Sequence, residues 1–207
     1  NRNINFDELA ESYYEQSKYL LEAGVDIFLP ETTFDTLNLK AAIFALKRLF
    51  DETSLFLPVF LSVTFSDKSG RTLSGQTINA FWESIRHANP YAVGMNCGLG
   101  AESLYDFANT LSKISDCKTF CYPNAGLPNP LSETGYDQTP DMTAKELEKF
   151  FDSKILNLVG GCCGTTPEHI ASINKVIKGK EPRKSIPLER QSSFSGLEHL
   201  IKDDTNT

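Results

Sequence analysis

Hydrophobic and polar positions follow two alternating patterns along the chain. Stretches with apolar residues at helical spacing alternate with short runs that are almost continuously apolar. The predicted helices span 6–23, 36–50, 76–88, 101–115, 143–152 and 167–178. The predicted strands span 25–30, 57–65, 91–96, 118–122 and 155–160. Because the strands lack a polar face and helices separate them, the pattern predicts an α/β fold with a parallel sheet covered by helices.

The number of repeated units indicates which parallel fold this is. Five predicted strands are each followed by a helix, which amounts to about five of the eight βα units of a (β/α)8 barrel of the TIM-barrel type. A doubly wound open sheet is the alternative. From about residue 181 the chain becomes an extended, polar connection. We therefore predict a partial-barrel domain over 1–180 and a linker over 181–207.

Composition and charge limit the kinds of molecule that the protein is expected to bind. The 207 residues include 20 Lys and Arg against 27 Asp and Glu, a formal net charge of −7, and no long basic run. Nucleic acid is therefore not an expected partner. No apolar stretch approaches the ~20 residues that cross a bilayer, and the amino terminus has no apolar signal region, so we expect a cytoplasmic protein without a membrane partner. The first residue, Asn1, indicates an excised or processed piece.

Three of the five cysteines lie where predicted strands end, the edge at which parallel α/β folds gather reactive groups. Cys97 follows one strand, while Cys162 and Cys163 follow another within the sequence GGCCG, whose glycines permit a sharp turn. Three converging thiolates would bind zinc and leave a fourth position open. Buried cysteines that merely pack, or a disulfide between Cys97 and Cys162, are the alternatives. Cys117 and Cys121 are assigned to packing.

Polar side chains lie at other strand ends. Glu31 ends the first predicted strand, where a carboxylate could bind a substrate ammonium or act as a base; a solvated loop acid is the alternative. Asn96 and Asn124 either donate to a substrate or cap turns. The helix after the cysteine pair is predicted to begin with Thr166 as its N-cap, next to the thiols, where its dipole favours negative charge. His169, one turn further, is predicted to be structural.

These motifs resemble a known family. The sequence VGGCCGTTPEHI at 159–170, with GMNCGLG at 94–100, resembles the zinc site of the homocysteine S-methyltransferase family. Further segments resemble, more narrowly, the homocysteine-binding module of cobalamin-dependent methionine synthases: LPETTFDTLNLKAA at 29–42, SGRTLSGQT at 69–77 and PNAGLPN at 123–129. The resemblance covers about residues 5–185, and its glycine-flanked cysteine pair is highly specific.

The resemblance implies a (β/α)8 barrel and a methyltransferase that makes methionine. It implies that Cys97, Cys162 and Cys163 bind zinc, which activates the homocysteine thiol, and that Glu31 holds the substrate amino group. We add Asn96 as a second candidate for substrate binding. Methylcobalamin and 5-methyltetrahydrofolate would be carried by cobalamin-binding and folate-binding modules of the same polypeptide. The first three strands of the family barrel, with an acidic DGG segment, have no counterpart in this chain.

Two alternatives to this function remain open. A homocysteine methyltransferase could use betaine or S-methylmethionine instead, although residues 195–198 resemble the stretch that leads into a folate-binding module. In a different class, the cysteines would form a non-catalytic structural zinc or redox module. Addition of homocysteine distinguishes the two classes, because the ligands of zinc in a closed structural site would stay the same when homocysteine is added.

Overall fold

A computed structural model gives the fold and describes residues 3–132, 135–185, 187, 191–203 and 205. The helices are α1 (Phe6–Glu22), α2 (Thr36–Thr53), α3 (Ile78–Ile85), α4 (Ala101–Ile114), α5 (Pro140–Asp152) and α6 (Pro167–Ile177), with a short 3-10 helix at Arg86–Ala88. The strands are β1 (Phe60–Val63), β2 (Ala92–Gly100), β3 (Lys118–Asn124), β4 (Leu158–Val159), β5 (Ser193–Ser195) and β6 (His199–Ile201). All six predicted helices are confirmed.

The central sheet is parallel and its strands lie in chain order, β1-β2-β3-β4. A doubly wound sheet would reverse its order at a switch point, so this order favours a barrel. The segment predicted as the first strand joins the edge of β1 through only two isolated parallel bridges, Phe28 to Val59 and Thr33 to Val63. With this segment, five strand positions are each followed by a helix within the described residues.

The first strand is irregular for a local reason. Pro30 has no N–H to donate to a ladder, although its carbonyl accepts a hydrogen bond from the Ser62 N–H at 3.0 Å. Two residues later, Thr32 has a φ of 58°, in the left-handed region. The regular ladder is therefore interrupted around Glu31, although Thr33 pairs with β1 again, and the predicted strand over 25–30 is reduced to an isolated bridge at Phe28.

Side-chain alternation gives the sheet two buried faces. Leu61, Val63 and Met95 point to the helices and belong to the main core, together with Cys121. On the inner face, a second cluster contains Phe60, Ala92 and Phe120, with Tyr122 and Leu158 packed against it. Burial raises the pKa of both thiols assigned to packing, Cys117 to about 11 and Cys121 further. This is the environment expected for cysteines that pack rather than react.

Arg183 fastens the start of the predicted linker to the domain. Its side chain is buried at 6% exposure and donates to the carbonyls of Ser112 (2.9 Å), Cys117 (2.6 Å) and Ser115, at and just beyond the end of α4. Its backbone N–H donates to the Leu156 carbonyl at 2.9 Å. The guanidinium thus satisfies carbonyls that a helix terminus leaves without partners.

The last strands form an antiparallel hairpin that packs on α3. Gln76 Nε2 donates to the Gly196 carbonyl at 2.9 Å, and the Ser195 hydroxyl donates to the Ala80 carbonyl at 2.7 Å. Sequence patterns did not predict this hairpin within 181–207. Ile186 and residues 188–190, 204, 206 and 207 of the predicted linker lie outside the described residues, and the boundary at 180 stays a prediction. Among the described helices, none is long and apolar enough to span a membrane.

Candidate metal centre

The Cys162-Cys163 pair lies on the loop after β4 and is hydrogen-bonded to the end of β3. The Cys162 N–H donates to the Pro123 carbonyl at 2.8 Å, and the Ala125 N–H donates to the Cys163 carbonyl at 2.9 Å. Asn124 Oδ1 accepts a hydrogen bond from the Cys163 N–H at 3.1 Å. The backbone of the cysteine pair is therefore fixed by its neighbouring strand, and Asn124 acts as a turn cap.

Two glycines around the pair are needed for close approach. A Cβ at Gly161 would lie 2.1 Å from the Thr165 hydroxyl oxygen. Gly164 has a φ of 77°, and a Cβ there would lie 2.5 Å from the ring of Tyr136. These contacts explain in physical terms why glycine flanks the cysteines.

Cys97 reaches the pair from β2, which lies on the other side of β3 from β4. The register between β2 and β3 shifts between Asn96 and Gly100, and Cys97 has a φ of 62°, so the strand is locally irregular at the thiol. Its Sγ lies 3.6 Å from that of Cys163, which lies 3.9 Å from that of Cys162. The three sulfurs lie within 4.8 Å of one another, and all five cysteines are free thiols. The structure brings together the cysteines that the sequence predicts to converge, without the alternative disulfide.

The spacing of the sulfurs fits a tetrahedral metal ion. Two sulfurs that are each ~2.3 Å from a tetrahedral zinc lie about 3.8 Å apart. The separations Cys97–Cys163 and Cys162–Cys163, 3.6 and 3.9 Å, bracket that value, and the third pair lies within 4.8 Å. Three soft sulfur ligands at this spacing suit zinc and leave one tetrahedral position for another ligand.

The three thiols differ in their electrostatic surroundings. Burial raises the pKa of Cys162 to about 11; the Asn96 amide opposes this, and the neighbouring thiolates of Cys97 and Cys163 add to it. Burial also acts against ionisation of Cys163, but hydrogen bonds from Tyr136, Cys97 and Cys162 outweigh it and lower the pKa of Cys163. Because neighbouring thiolates repel one another, full deprotonation of the cluster needs a bound cation.

The Asn96 side chain hydrogen-bonds Thr32, just after the first predicted strand, and approaches Cys162. It is buried at 1% exposure, and its Oδ1 accepts from the Thr32 N–H at 2.9 Å and from the Ser62 hydroxyl at 2.6 Å. Its Nδ2 donates to the Thr32 hydroxyl at 2.9 Å and approaches Cys162 Sγ at 3.7 Å. These contacts favour a positioning role, and direct substrate binding by Asn96 stays a prediction.

Glu31 lies at the same edge of the sheet and is exposed. It directly precedes Thr32, so the Asn96 side chain connects its backbone to Cys162. Burial raises the pKa of Tyr122 on the inner face, and the negative charge of Glu31 adds to that increase. The carboxylate is therefore close to the inner face at the carboxyl edge, while its role toward a substrate amine stays a prediction.

Tyr136 is a site residue that the sequence did not single out. It lies in the loop between β3 and α5, it is one of the groups that lower the pKa of Cys163, and its ring packs against Gly164. His169 is buried next to this loop, at 4% exposure. The only signal in the sequence is a tyrosine within a loop rich in glycine and proline, which is too common to identify a ligand contact.

His169 holds that loop in place, which agrees with its predicted structural role. Its Nδ1 accepts a hydrogen bond from the Thr166 N–H at 3.2 Å, so Nε2 carries the proton and donates to the Gln138 carbonyl at 3.0 Å. Thr166 is the N-cap of α6 and Pro167 is its first residue, as predicted. The start of α6 and the loop that carries Tyr136 are thus joined by one imidazole.

Replacing His169 with glutamine is expected to lower the free energy of unfolding by about 1–2 kcal/mol, because a buried donor and acceptor lose their partners. Urea denaturation followed by circular dichroism measures the change. His87→Gln, on the 3-10 helix, is the matched control and is expected to have little effect. Equal midpoints for the His169 variant and the unchanged chain would contradict the structural role.

The chain is similar to a known family and to solved structures. The sequence model of the family described as homocysteine S-methyltransferase matches residues 1–177. Among solved structures, the apo form of the homocysteine methyltransferase MmuM from Escherichia coli aligns with a TM-score of 0.63 at 19% identity, covering 84% of this chain and 58% of that chain. Its metallated form aligns with a TM-score of 0.60 at 20% identity, covering 80% and 51%. Its oxidized form aligns with a TM-score of 0.57 at 22% identity, covering 80% and 52%.

At 19–22% sequence identity, these structural alignments establish the fold alone. The chain spans between 51% and 58% of the length of these structures. The α/β class is confirmed, and the parallel sheet with its helices is part of a TIM-barrel-like fold.

Proposed function

Since the chain belongs to the homocysteine S-methyltransferase family, we propose that it binds zinc through Cys97, Cys162 and Cys163 and activates homocysteine for methyl transfer. The observation that carries the proposal is the convergence of three sulfurs at the carboxyl edge, at the spacing of a tetrahedral site. Three protein ligands with one open position are typical of catalytic zinc, whereas structural zinc has four.

The chemistry follows from the acidity of thiols. A free thiol has a pKa of roughly 8.5 and is mostly protonated near neutral pH. Bound zinc would supply the charge that keeps the homocysteine sulfur deprotonated and therefore nucleophilic. Cys97, Cys162 and Cys163 would hold the metal, with the last two fixed by β3. Three reduced thiols require a reducing compartment, so the cytoplasm is the proposed location.

In this proposal Glu31 holds the substrate ammonium. Its carboxylate is exposed at the same edge as the thiols, and Asn96 hydrogen-bonds both the following residue, Thr32, and Cys162. An ammonium held there would leave only the substrate sulfur free to reach the metal. Asn96 would keep the two binding positions in a fixed relation and is proposed to contribute to substrate binding in this way.

The proposed methyl donor is methylcobalamin, regenerated from 5-methyltetrahydrofolate on other modules of the same polypeptide. The resemblance of residues 195–198 to the stretch leading into a folate-binding module supports this methionine synthase type. Betaine or S-methylmethionine are the competing donors. Incubation of the zinc-loaded chain and homocysteine with each donor, followed by methionine analysis, distinguishes them: methionine only from betaine or S-methylmethionine would overturn the cobalamin assignment.

X-ray absorption at the zinc edge tests the central proposal. We expect one zinc with three sulfur ligands in the reduced chain, rising to four sulfurs when homocysteine is added. The non-catalytic alternative, a closed zinc site, predicts no change on addition. Absence of zinc after reconstitution under reducing conditions would overturn the proposed function.

The Glu31→Gln variant is expected to weaken binding of homocysteine by about tenfold or more, because it removes an ion pair with the substrate ammonium. Binding of 4-mercaptobutanoate, the analogue of homocysteine that lacks the amino group, should change little. Isothermal titration of the zinc-loaded chain with both ligands measures the difference. Equal losses for the two ligands would remove Glu31 from its proposed role.

A further inference from the structure

We propose that Gln76 is a positioning residue that links the C-terminal hairpin to the segment carrying Glu31, so that recognition of the substrate amino group depends on the docked hairpin. The hairpin is residues 193–201, and residues 31–36 are the strand-end segment. The inference rests on the proposed function, because it concerns the carboxylate that is proposed to hold the substrate ammonium. It adds a contribution from a part of the chain that is remote in sequence from both the cysteines and Glu31.

Gln76 joins three elements through one side chain. It lies in the loop between β1 and α3 and is buried at 8% exposure. Its Oε1 accepts a hydrogen bond from the hydroxyl of Thr36, the first residue of α2, at 2.7 Å. Its Nε2 donates to the Gly196 carbonyl at 2.9 Å, in the turn of the hairpin, and to the Ser84 hydroxyl on α3 at 3.3 Å. Both ends of the amide are therefore used, one toward the strand-end segment and the other toward the hairpin.

Backbone hydrogen bonds of the same loop run in the same two directions. The Thr77 N–H donates to the Leu197 carbonyl of the hairpin turn at 3.1 Å. The Ser74 N–H donates to the Phe34 carbonyl of the strand-end segment at 3.3 Å. The Leu197 side chain would lie 3.3 Å from a Cβ at Gly75, so the loop and the hairpin turn are closely packed. The loop between β1 and α3 therefore connects the hairpin to the strand-end segment through backbone as well as side-chain contacts.

The strand-end segment contains a backbone conformation that needs support. Thr32, the residue after Glu31, has a φ of 58°, in the left-handed region that a β-branched residue rarely adopts. Such a conformation costs free energy and persists only where the surrounding structure imposes it. On the inner side, Asn96 Oδ1 accepts from the Thr32 N–H at 2.9 Å, and the Thr33 N–H donates to the Ser62 carbonyl at 3.2 Å.

The loop supplies the second support of this segment. The inner contacts hold Thr32 and Thr33, whereas Phe34 and Thr36 are held by the loop. If the hydrogen bond of Thr36 is lost, this end of the segment is free to move and the strained residue relaxes toward an ordinary conformation. The Glu31 carboxylate, one residue away, is then displaced, while the cysteine pair keeps its own hydrogen bonds to β3. We therefore expect a selective loss of the ammonium contact and an intact metal site.

Two substitutions separate the two hydrogen bonds of Gln76. Thr36→Val keeps the shape of the side chain but lacks the hydroxyl, so it breaks only the link to the strand-end segment. Gln76→Glu keeps an acceptor for Thr36 but lacks the donor to the Gly196 carbonyl, so it breaks the link to the hairpin. Each is expected to weaken binding of homocysteine about fivefold in isothermal titration of the zinc-loaded chain. Binding of 4-mercaptobutanoate, which lacks the amino group, should stay within about twofold of the unchanged chain.

Thr53→Val is the matched control for loss of a threonine hydroxyl from α2. Thr53 is the last residue of the helix, and its hydroxyl donates to the Leu49 carbonyl at 2.7 Å, so this hydrogen bond stays within α2. Both ligands should bind this variant as they bind the unchanged chain. Equal losses for the two ligands in Thr36→Val or in Gln76→Glu would contradict the inference, because they would indicate a general loosening of the fold.

Hydrogen exchange measures the coupling itself. If the docked hairpin favours binding of the substrate amine, the bound amine favours the docked hairpin to the same degree. Homocysteine is therefore expected to slow amide exchange in peptides that cover residues 193–201 about threefold or more, and 4-mercaptobutanoate is expected to leave it unchanged. This protection should disappear in Thr36→Val. A purely structural role for Gln76 would make the exchange rates independent of the amino group of the ligand.

Zinc content and Glu31→Gln are measured alongside, so that the two proposals fail separately. Absence of zinc, or equal losses for the two ligands in Glu31→Gln, would overturn the proposed roles and this inference with them. If Glu31→Gln discriminates between the ligands but Thr36→Val does not, only the inference is overturned. A loss in Thr36→Val without one in Gln76→Glu would overturn the dependence on the hairpin. If Gln76→Glu fails to fold, Thr36→Val and the exchange rates decide.

Discussion

Replacing Cys162 with alanine is expected to lower the zinc affinity of the chain by more than about a hundredfold. Changes in residues that merely contact metal ligands already cost about 10–100-fold, and this change removes a ligand itself. Only two of the three converging sulfurs would remain, which is too few for a site with one open position. Homocysteine binding should fall together with zinc, because the metal is its proposed partner. Competition with a chromophoric chelator measures zinc affinity, and titration calorimetry measures homocysteine binding.

The matched control for this prediction is Cys117→Ala. Cys117 is partly buried and directly precedes β3, at the end of the strand opposite to the site. Its replacement therefore removes a thiol without touching the site. Its zinc affinity should remain within about twofold of the unchanged chain. Unchanged metal content in Cys162→Ala would contradict the three-cysteine site, and equal losses in both variants would indicate a general effect on folding.

Replacing Arg183 with methionine is expected to lower the free energy of unfolding by about 3 kcal/mol. The variant keeps much of the aliphatic packing but leaves three carbonyls, those of Ser112, Ser115 and Cys117, without their shared donor. Each unsatisfied buried polar group costs about 1–3 kcal/mol, partly offset because burial of the charged guanidinium is itself unfavourable. Urea denaturation measures the loss, with the same dependence of the unfolding free energy on urea concentration used for both variants.

An exposed arginine provides the control for Arg183. Arg48 forms ion pairs with Glu11 and Glu52 on the surface of α1 and α2, and such pairs are worth about 0–1 kcal/mol. Arg48→Met should therefore change stability by less than about 1 kcal/mol. Similar small losses in both variants would show that Arg183 is not an anchor and that residues 181–185 act as the linker predicted from sequence.

The fold could be predicted because its signals are local. Amphipathic spacing and capping residues define the helices, and Thr166 with Pro167 marks the start of α6 as predicted. Continuous apolar runs define the strands. The first strand departs from the prediction because Pro30 and Thr32 disrupt its ladder, and β4 contains only Leu158–Val159 because the glycine-rich turn follows at once.

The cysteine cluster could be predicted for a similar reason, whereas its surroundings could not. Cys162 and Cys163 follow β4, and parallel strands bring their carboxyl ends together. Cys97, predicted to follow a strand that ends at 96, instead lies inside the irregular last part of β2, because the strand continues through a register shift to Gly100. The contacts of Asn96, Tyr136 and Arg183 depend on pairs of residues far apart in the chain, such as Arg183 with Ser112. Side chains of this kind carry no periodic signal, and Arg183 lies in a polar segment that composition alone marks as a connection.

The hydrogen bonds between the cysteine pair and β3 have a consequence for the energetics of metal exchange. In small zinc-dependent domains, the ion organises a chain that is otherwise unfolded, so chelation and denaturation are one event. Here the backbones of Cys162 and Cys163 are hydrogen-bonded to Pro123, Asn124 and Ala125, and none of these bonds uses a thiol. In the proposed zinc site these bonds would hold the loop in place with or without the metal, so little conformational entropy would be lost on binding. Metal removal is therefore expected to abolish the proposed reaction centre while the surrounding architecture stays folded.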